Sequence, residues 1–329
     1  MTLPFLQSEI GCRIAGAERL ELGDSNEPLA GMVTHPRLLP WMRVIRIPRF
    51  GRGMTPRALD RAFHRIRDVA TRGRTLRIHL EPWSEAPEQL ERIETLARRY
   101  GFAPSRRIQS PSRTLWIDLR PPEDAIFASF HATARRHIRT PGKRGYWVET
   151  VRDERSAPRI EELFRSSFER TGGTPPEVDW ALAIRAQRCG APLRIAALYG
   201  RTQDSTPRLF AFAMAVLNGE VAEYLHAGSC RNLPIAIPLL YAPTWALMRW
   251  ARSSGAEAWD FGGISDDGAR GSGIARFKRY FSRNEVTFGR EWVCTASPFA
   301  ARIDAIARGT TRLHTRGPST WLSDGHARQ

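Results

Sequence analysis

Apolar positions recur along this chain with two spacings, two residues and 3.6 residues, and the spacings take turns. Residues 41–48 (WMRVIRIP) alternate apolar and basic side chains, which predicts a half-buried strand running into a basic glycine loop, Arg49-Phe50-Gly51-Arg52-Gly53. Before it, Phe5 opens the fold, and short strands are predicted near 12–22 and 29–33. Thr55-Pro56 reads as an N-cap with proline at the first helical position. Leu59, Ala62, Phe63, Ile66, Val69 and Ala70 then share one helical face. Residues 75–81 alternate as a strand. A helix over 87–100 points Leu90, Ile93, Leu96 and Ala97 inward and stops at Gly101. A strand over 114–119 precedes one helix over 122–140, with Ile126, Phe127, Phe130, Ala134 and Ile138 on its apolar side.

The second half repeats the alternation. A strand is predicted at 146–151, helices near 160–170 and 178–189, and strands at 193–199 and 209–217. Asn218-Gly219 signals a two-residue hairpin into a strand over 220–229. A helix over 238–253, a strand at 258–261, a basic helix, a strand at 286–294, a helix at 300–308 and a loose polar tail beyond Gly309 complete the pattern.

The order of elements repeats where the residues do not. Strand 41–48, helix, strand 75–81, helix, strand 114–119 is matched by strand 220–229, helix, strand 258–261, helix, strand 286–294. The fold class expected is therefore α/β with mixed sheets, in two tandem GNAT-like acyltransferase domains. The expected division is 1–144 plus a C-terminal return, 290–329, against 145–289.

Composition narrows the partners. The formal net charge is +16, which favours anionic ligands such as nucleic acid, phosphorylated molecules or an anionic membrane face. The densest cluster, Arg135, Arg136, His137, Arg139, Lys143 and Arg144, reads as a phosphate-facing ridge, although cations also suit a helix C-terminus. No apolar run approaches the roughly 20 residues that a transmembrane helix needs. The N-terminal residues predict no secretory signal. Cys12, Cys189, Cys230 and Cys294 are far apart, which argues against a zinc site or a disulfide framework and for a cytoplasmic chain.

One stretch concentrates candidate chemistry: WDFGGISDDGARGSGIARFKRYF, residues 259–281. A strand breaks at Gly262-Gly263, where backbone can approach a ligand closely, and a basic helix follows. That helix carries Phe277-Lys278. Lys278 and Lys143 are the only lysines among 50 basic residues, so lysine here reads either as a chance, solvated placement or as a choice of a compact point charge over the arginine fork. Asp266-Asp267 reads as turn chemistry and His226, on a strand beside Tyr224, as a packed residue. No G-x-S-x-G elbow or P-loop is present, and the glycines from Gly262 through Gly268, Gly271 and Gly273 lack dinucleotide-binding spacing. Residues 231–238, where a coenzyme A pyrophosphate loop would lie, contain no glycine and two prolines, Pro234 and Pro238.

These segments together resemble the FemABX family, the aminoacyl-tRNA-dependent aminoacyltransferases that extend peptidoglycan side-chain peptides. PFLQSE at the start resembles the family's opening, and Ile47-Pro48-Arg49 its Tyr-Ile-Pro-Arg-Gly-Pro segment. LRIHLEPW from Leu76 resembles its first core strand, and TLWIDL with PEDAIFASFHATARRHIR its strand and basic helix. YLHAGS from Tyr224 and WDFGGI from Trp259 resemble its second domain, and Phe277-Lys278 falls on its closing Phe-Lys motif. The glycine loop after Arg49 departs from the family pattern, and no heptad segment supplies a coiled-coil arm, so the resemblance is to the compact members.

The resemblance implies amide formation: an acceptor amine attacks the ester of an aminoacyl-tRNA and the tRNA hydroxyl leaves, with no cofactor and no metal. It implies catalytic roles for Lys278, stabilising the oxyanion by about 3–4 kcal/mol, and for Phe277, shaping the site. It implies substrate contacts from Arg46, Arg49, Arg136, Arg139, Tyr224, Gly262 and Gly263. The acceptor implied is a nucleotide- or lipid-linked muropeptide or another peptide amine, with peripheral contact to the inner membrane face as one setting. The competing readings are a tRNA-dependent peptide-bond former in natural-product biosynthesis, a GNAT-type acyl-CoA N-acyltransferase, and a non-catalytic RNA-binding protein.

Overall fold

The computed structural model describes residues 3–71, 74–105, 112–170, 173–202, 205–230, 237–264, 273–296 and 302. The loop residues 231–236, Asp266, Asp267, Gly268 and Gly271, all of the predicted 300–308 helix but Arg302, and the tail lie outside them.

The first sheet grows from the alternation seen at 41–48. Strands β1 (Glu18–Glu21), β2 (Ala30–Thr34), β3 (Arg43–Gly51), β4 (Thr75–Trp83) and β5 (Ala103–Pro104) belong to it, with helix α1 (Glu9–Ile14) before β1 and helices α2 (Pro56–Thr71) and α3 (Pro87–Arg99) on either side of β4. The second region contains β6 (Arg113–Asp118), α4 (Glu123–Ser129), α5 (Ala132–Lys143), β7 (Trp147–Thr150), α6 (Ala157–Glu169) and α7 (Trp180–Arg188). It continues through β8 (Leu193–Arg201), β9 (Pro207–Asn218), β10 (Val221–Ser229), α8 (Tyr241–Ser253), β11 (Ala258–Asp260), α9 (Gly273–Arg279), β12 (Asn284–Thr287) and β13 (Trp292–Thr295).

The sheet orders are β1-β2-β3-β4-β13-β5 and β7-β8-β9-β10-β11-β6-β12. Each contains a parallel pair, β3 with β4 and β10 with β11, and in each the crossover carries a helix, α2 or α8, as parallel pairing requires. The strand next to each pair is exchanged between the repeats. β6, from the first run of elements, pairs antiparallel with β11, and β13, from the end of the second run, pairs antiparallel with β4. The expected α/β class with two mixed sheets is what the chain adopts.

Several elements differ from expectation, each for a local reason. Residues 12–22 are not one strand: the Ser8 hydroxyl accepts from Gly11 N, capping α1, and only Glu18–Glu21 extend. The 122–140 helix is two helices. Phe130 and His131 are extended, with ψ of 150° and 145°, and His131 Nδ1 accepts from Thr133 N to cap α5. The strand predicted at 286–294 is likewise two, β12 in the second sheet and β13 in the first. β3 also runs three residues past Pro48, with a register shift between Ile47 and Phe50. The hairpin loop is Gly219-Glu220, because Asn218 pairs with Val221.

Contacts divide the chain into two units. Among the described residues, one contains those up to Arg113, Pro176–Val178 and those from Thr287; the other contains Thr114–Pro175 and Asp179–Val286. The division falls after 113, not after the expected 144. β6 is hydrogen-bonded to β11, and Ile126, Phe130 and Ala134 of α4 and α5 share a core with Leu247, Met248 and Trp259.

In the first unit, Ile45, Ile47, Ile78 and Leu80 pack against Leu59, Phe63, Ile66, Ile93 and Leu96 of α2 and α3. The alternate positions of β4 are polar: buried His79 bonds Glu291 at 2.8 Å, and Glu81 pairs with Arg46. In the second unit both faces of β9 are covered, which accounts for its unbroken burial from Leu209 to Val216. Small residues Ala196, Ala213, Ala215 and Ala222 share a cluster with Leu247, Met248 and Ala251 of α8. Phe212 on the other face meets Phe164 and Trp180 of α6 and α7.

Candidate active site

β10 and β11 are paired only from Val221↔Ala258 to Glu223↔Asp260. Beyond that point β10 shifts register between Tyr224 and His226, and β11 ends in the turn Gly262-Gly263. Both glycines have positive φ, 71° and 111°. A Cβ on Gly262 would lie 2.6 Å from the Tyr224 carbonyl oxygen, so the turn is pressed against β10 backbone.

A short network fixes that turn. Asp260 Oδ1 accepts from Gly262 N at 2.7 Å and from Thr114 Oγ1 at 2.5 Å. Thr114 Oγ1 accepts in turn from Gly263 N at 3.1 Å. Lys278, reaching back from α9, donates its Nζ proton to the Gly263 carbonyl. Its side chain is buried, 5% exposed, and burial pulls its pKa down to about 8, against the opposing pull of Asp260 and Glu223. A lysine in that range is a cation at neutral pH and is able to release its proton without a strong base.

Phe277, before it, stands in an aromatic wall: its ring lies 4.8 Å from Tyr241, 5.3 Å from Phe281 and 6.3 Å from Phe261. Tyr224 is half-buried, 5.9 Å from Phe261 and 6.1 Å from Trp259. Burial raises its phenol pKa and a hydrogen bond with Thr244 opposes this, so it remains a neutral hydroxyl. The structure thus brings Lys278, Phe277, Tyr224, Gly262 and Gly263 together. It adds three residues to which no role was assigned from sequence: Asp260, Glu223 and Thr114. The signal for the two acids was their place on strands that are mostly apolar, at 223 and 260.

His226 lies apart from this cluster. Its ring packs 5.2 Å from Phe164 and 5.7 Å from Trp180, and burial drops its pKa to about 3. It is a packed neutral histidine, as its strand position predicts.

The arginines divide into two groups. Arg46 donates Nε and Nη2 to Glu81 Oε1 at 2.8 and 2.6 Å, and the Glu81 side chain is 2% exposed. Arg49 is buried at φ 55°, its guanidinium 5.7 Å from the Trp83 ring. Arg49 therefore belongs to the interior of the first unit, and Arg46 is half-buried against Glu81. Arg136 and Arg139 are exposed on α5, where with Arg135, Thr140, Lys143 and Ala132 they border a groove of about 300 Å³. Arg139 also lies 4.8 Å over Phe127, and Arg135 caps α4 through the Ala128 carbonyl at 2.6 Å. Among the described residues no helix is long and apolar enough to cross a membrane.

No family model matches the chain, and no curated protein does. Solved structures do. FemX aligns with a TM-score of 0.70 at 16% identity, covering 91% of this chain and 94% of that one. The C-terminal domain of a putative lysylphosphatidylglycerol synthetase from Agrobacterium fabrum aligns with a TM-score of 0.54 at 13% identity, covering 94% and 95%. L-PGS from Bacillus licheniformis gives 0.53 at 12% identity, covering 92% and 91%. Over 91% of its length, the chain carries the fold of FemX.

Proposed function

We propose that this protein is an aminoacyltransferase that moves an amino acid from aminoacyl-tRNA to the amine of a peptidoglycan precursor peptide or a related peptide acceptor. The observation that carries this reading is Lys278, a buried cation with pKa about 8, held by its bond to the Gly263 carbonyl where β10 and β11 part. The FemX-like fold supports it. So does the name of the Agrobacterium neighbour, which joins a lysyl group to a lipid.

In the proposed reaction the acceptor's neutral amine attacks the ester carbonyl of the charged tRNA. A C–N bond forms, the C–O ester bond breaks, and one amine proton ends on the departing tRNA hydroxyl. Negative charge develops on the carbonyl oxygen between these events. Lys278 stabilises it as a fixed, desolvated cation, worth about 3–4 kcal/mol. Its lowered pKa also suits it to pass the proton to the leaving oxygen. Asp260 and Glu223 hold Lys278 charged, and Phe277 with Tyr241 walls the carbonyl from water. Tyr224 contributes a neutral donor toward the acceptor. Arg136 and Arg139 meet phosphates of the tRNA or of a nucleotide- or lipid-linked acceptor. The ester is already activated, so the reaction needs no ATP, and charged tRNA places it in the cytoplasm.

The test is transfer of radiolabelled amino acids from a mixed charged-tRNA pool to a nucleotide-linked muropeptide, beside an acetyl-coenzyme A arm with the same acceptor. Transfer from tRNA that falls in Lys278→Met supports the reading. Turnover from coenzyme A alone overturns the donor, and no transfer from charged tRNA to the muropeptide overturns the muropeptide as acceptor.

A further inference from the structure

We infer that Arg152 and Arg194, with Arg188 at the rim, form a second binding site that takes a phosphate group, at the outer end of the second sheet. The site belongs to a groove of about 330 Å³ lined by Thr150, Arg152, Gln187, Arg188 and Arg194. It lies where β7, the terminal strand of the sheet, runs out, away from any residue given a role in transfer.

Its framework is fixed. Gln187 of α7 uses both ends of its amide on backbone, donating Nε2 to the Val151 carbonyl at 2.6 Å and accepting from Ile195 N at 2.6 Å. That bond pattern ties α7 to the ends of β7 and β8. Arg194 of β8 is held as firmly. Its guanidinium lies 5.2 Å over the Trp250 ring, Nη1 reaches Thr150 Oγ1 at 3.5 Å, and Nε is buried with no hydrogen-bond partner.

The charges are one-sided. Arg152 and Arg194 have no ion-pair partner among the described residues, and Arg188 reaches Glu154 only at 3.6 Å. Burial and the charge on Arg152 both push the Arg194 pKa down, so Arg194 carries its charge in a place that disfavours it. The neighbouring arginines are neutralised in the usual way: Arg185 by Glu154 at 2.6 Å and Arg155 by Asp153 at 2.8 Å. A solvated basic surface would leave Arg194 free in water, yet it is packed against an indole. Converging, partly desolvated cations without an acid mark binding sites for anions.

The chemistry selects phosphate over a whole nucleotide. Planar guanidinium forks match tetrahedral oxyanions bidentately. The residues that line the groove, Thr150, Arg152, Gln187, Arg188 and Arg194, include no aromatic side chain on which a base could stack. The volume sits at the low end for small-ligand pockets. Two sources fit this chemistry, a free phosphate or diphosphate and a phosphodiester of an RNA backbone.

The experiment compares wild type, Arg152→Gln and Arg194→Gln, with Arg155→Gln as a charge-matched control nearby. Inorganic phosphate and pyrophosphate are titrated calorimetrically and by thermal shift at fixed ionic strength, and an uncharged tRNA across a salt series. Arg152 is exposed, so Arg152→Gln keeps the test meaningful should Arg194→Gln fold poorly. The expected result is at least a tenfold loss of phosphate-group binding in Arg152→Gln, with Arg155→Gln unchanged. A loss confined to phosphate and pyrophosphate identifies a free anion as the ligand. A loss on tRNA, with the salt slope reduced by about one unit, identifies the RNA backbone. Unchanged binding of all three ligands in both variants, or an equal loss in Arg155→Gln, overturns the site. The proposed transfer is judged separately: wild type that binds phosphate here but transfers nothing from charged tRNA refutes that function and leaves this site standing.

Discussion

Lys278 hydrogen-bonds the carbonyl of Gly263, fifteen residues earlier in the chain, and so closes α9 back onto the turn that ends β11. The bond gives a buried ammonium a fixed position. A substrate carbonyl placed beside that of Gly263 would meet the same cation with no reorganisation, which is the condition for strong electrostatic catalysis.

Lys278→Met should lower transfer from charged tRNA by about 10²–10³-fold. Lys278→Arg should not restore it, because the planar fork cannot take the place of a point charge in a buried site. Single-turnover transfer, beside a thermal melt of each variant, separates this effect from loss of fold. Near-wild-type transfer by a folded Lys278→Met would remove Lys278 from the mechanism.

Activity and stability should respond to alkali in opposite directions. The proposed reaction uses the Lys278 cation, so its rate should fall as pH rises through about 8. Stability behaves otherwise. Between about 8 and the ordinary 10.5 the unfolded chain holds the proton and the folded chain does not, so the contribution of this group to stability rises with pH across that window. Transfer rates and urea midpoints at pH 7, 8 and 9, in wild type and Lys278→Met, check both signs.

Acid should destabilise the fold through His226. Its folded pKa is about 3 against 6.5 unfolded, so the unfolded chain takes up a proton first and stability falls as pH drops from 6.5 toward 3. The slope from one such group is at most about 1.4 kcal/mol per pH unit. Urea unfolding of His226→Gln at pH 7 and 5 should show a smaller difference than wild type; an equal difference rules His226 out as the cause.

Gly262→Ala should destabilise the turn. The φ of 71° disfavours a side chain by about 1–2 kcal/mol, and the added methyl meets backbone oxygen at 2.6 Å. Gly273→Ala, at the first residue of α9 with nothing within 4 Å of its added Cβ, should instead be tolerated, with a small gain in helix propensity, below the roughly 1 kcal/mol of a helix interior. Paired denaturation curves decide; equal midpoints for the two variants would contradict the geometry.

Arg46→Ala should act on stability and not on RNA binding. It strands a carboxylate whose side chain is 2% exposed, at a loss of about 3 kcal/mol, the low end for a buried pair because Arg46 keeps 23% exposure. Arg46→Ala with Glu81→Leu should recover most of that loss. Arg136→Ala and Arg139→Ala should leave the melting temperature in place and each reduce the salt slope of tRNA binding by about one unit.

Much of this was legible in the residues. Period-two and period-3.6 patterns located β3, β4, α2, α3, β9 and α8, because a strand or helix that buries one face must repeat at its own period. The repeated order of elements pointed to two mixed sheets. Short elements misled. α1 was taken for strand because a single serine cap outweighs six residues of weak pattern, and the break at Phe130 carries no glycine or proline to announce it.

What only the tertiary structure decided is which distant residues meet. The exchange of β6 and β13 between the repeats, and the His79–Glu291 pair 212 residues apart, follow from pairing energies shared across the whole chain, to which no local window is sensitive. The same reason separates the arginines. Arg46 and Arg136 are one residue type in basic, apolar-patterned segments, yet Arg46 met a buried glutamate and Arg136 met solvent. The sequence by itself determined the elements and their order; the register that placed Asp260 and Glu223 near Lys278 came only from the folded sheet.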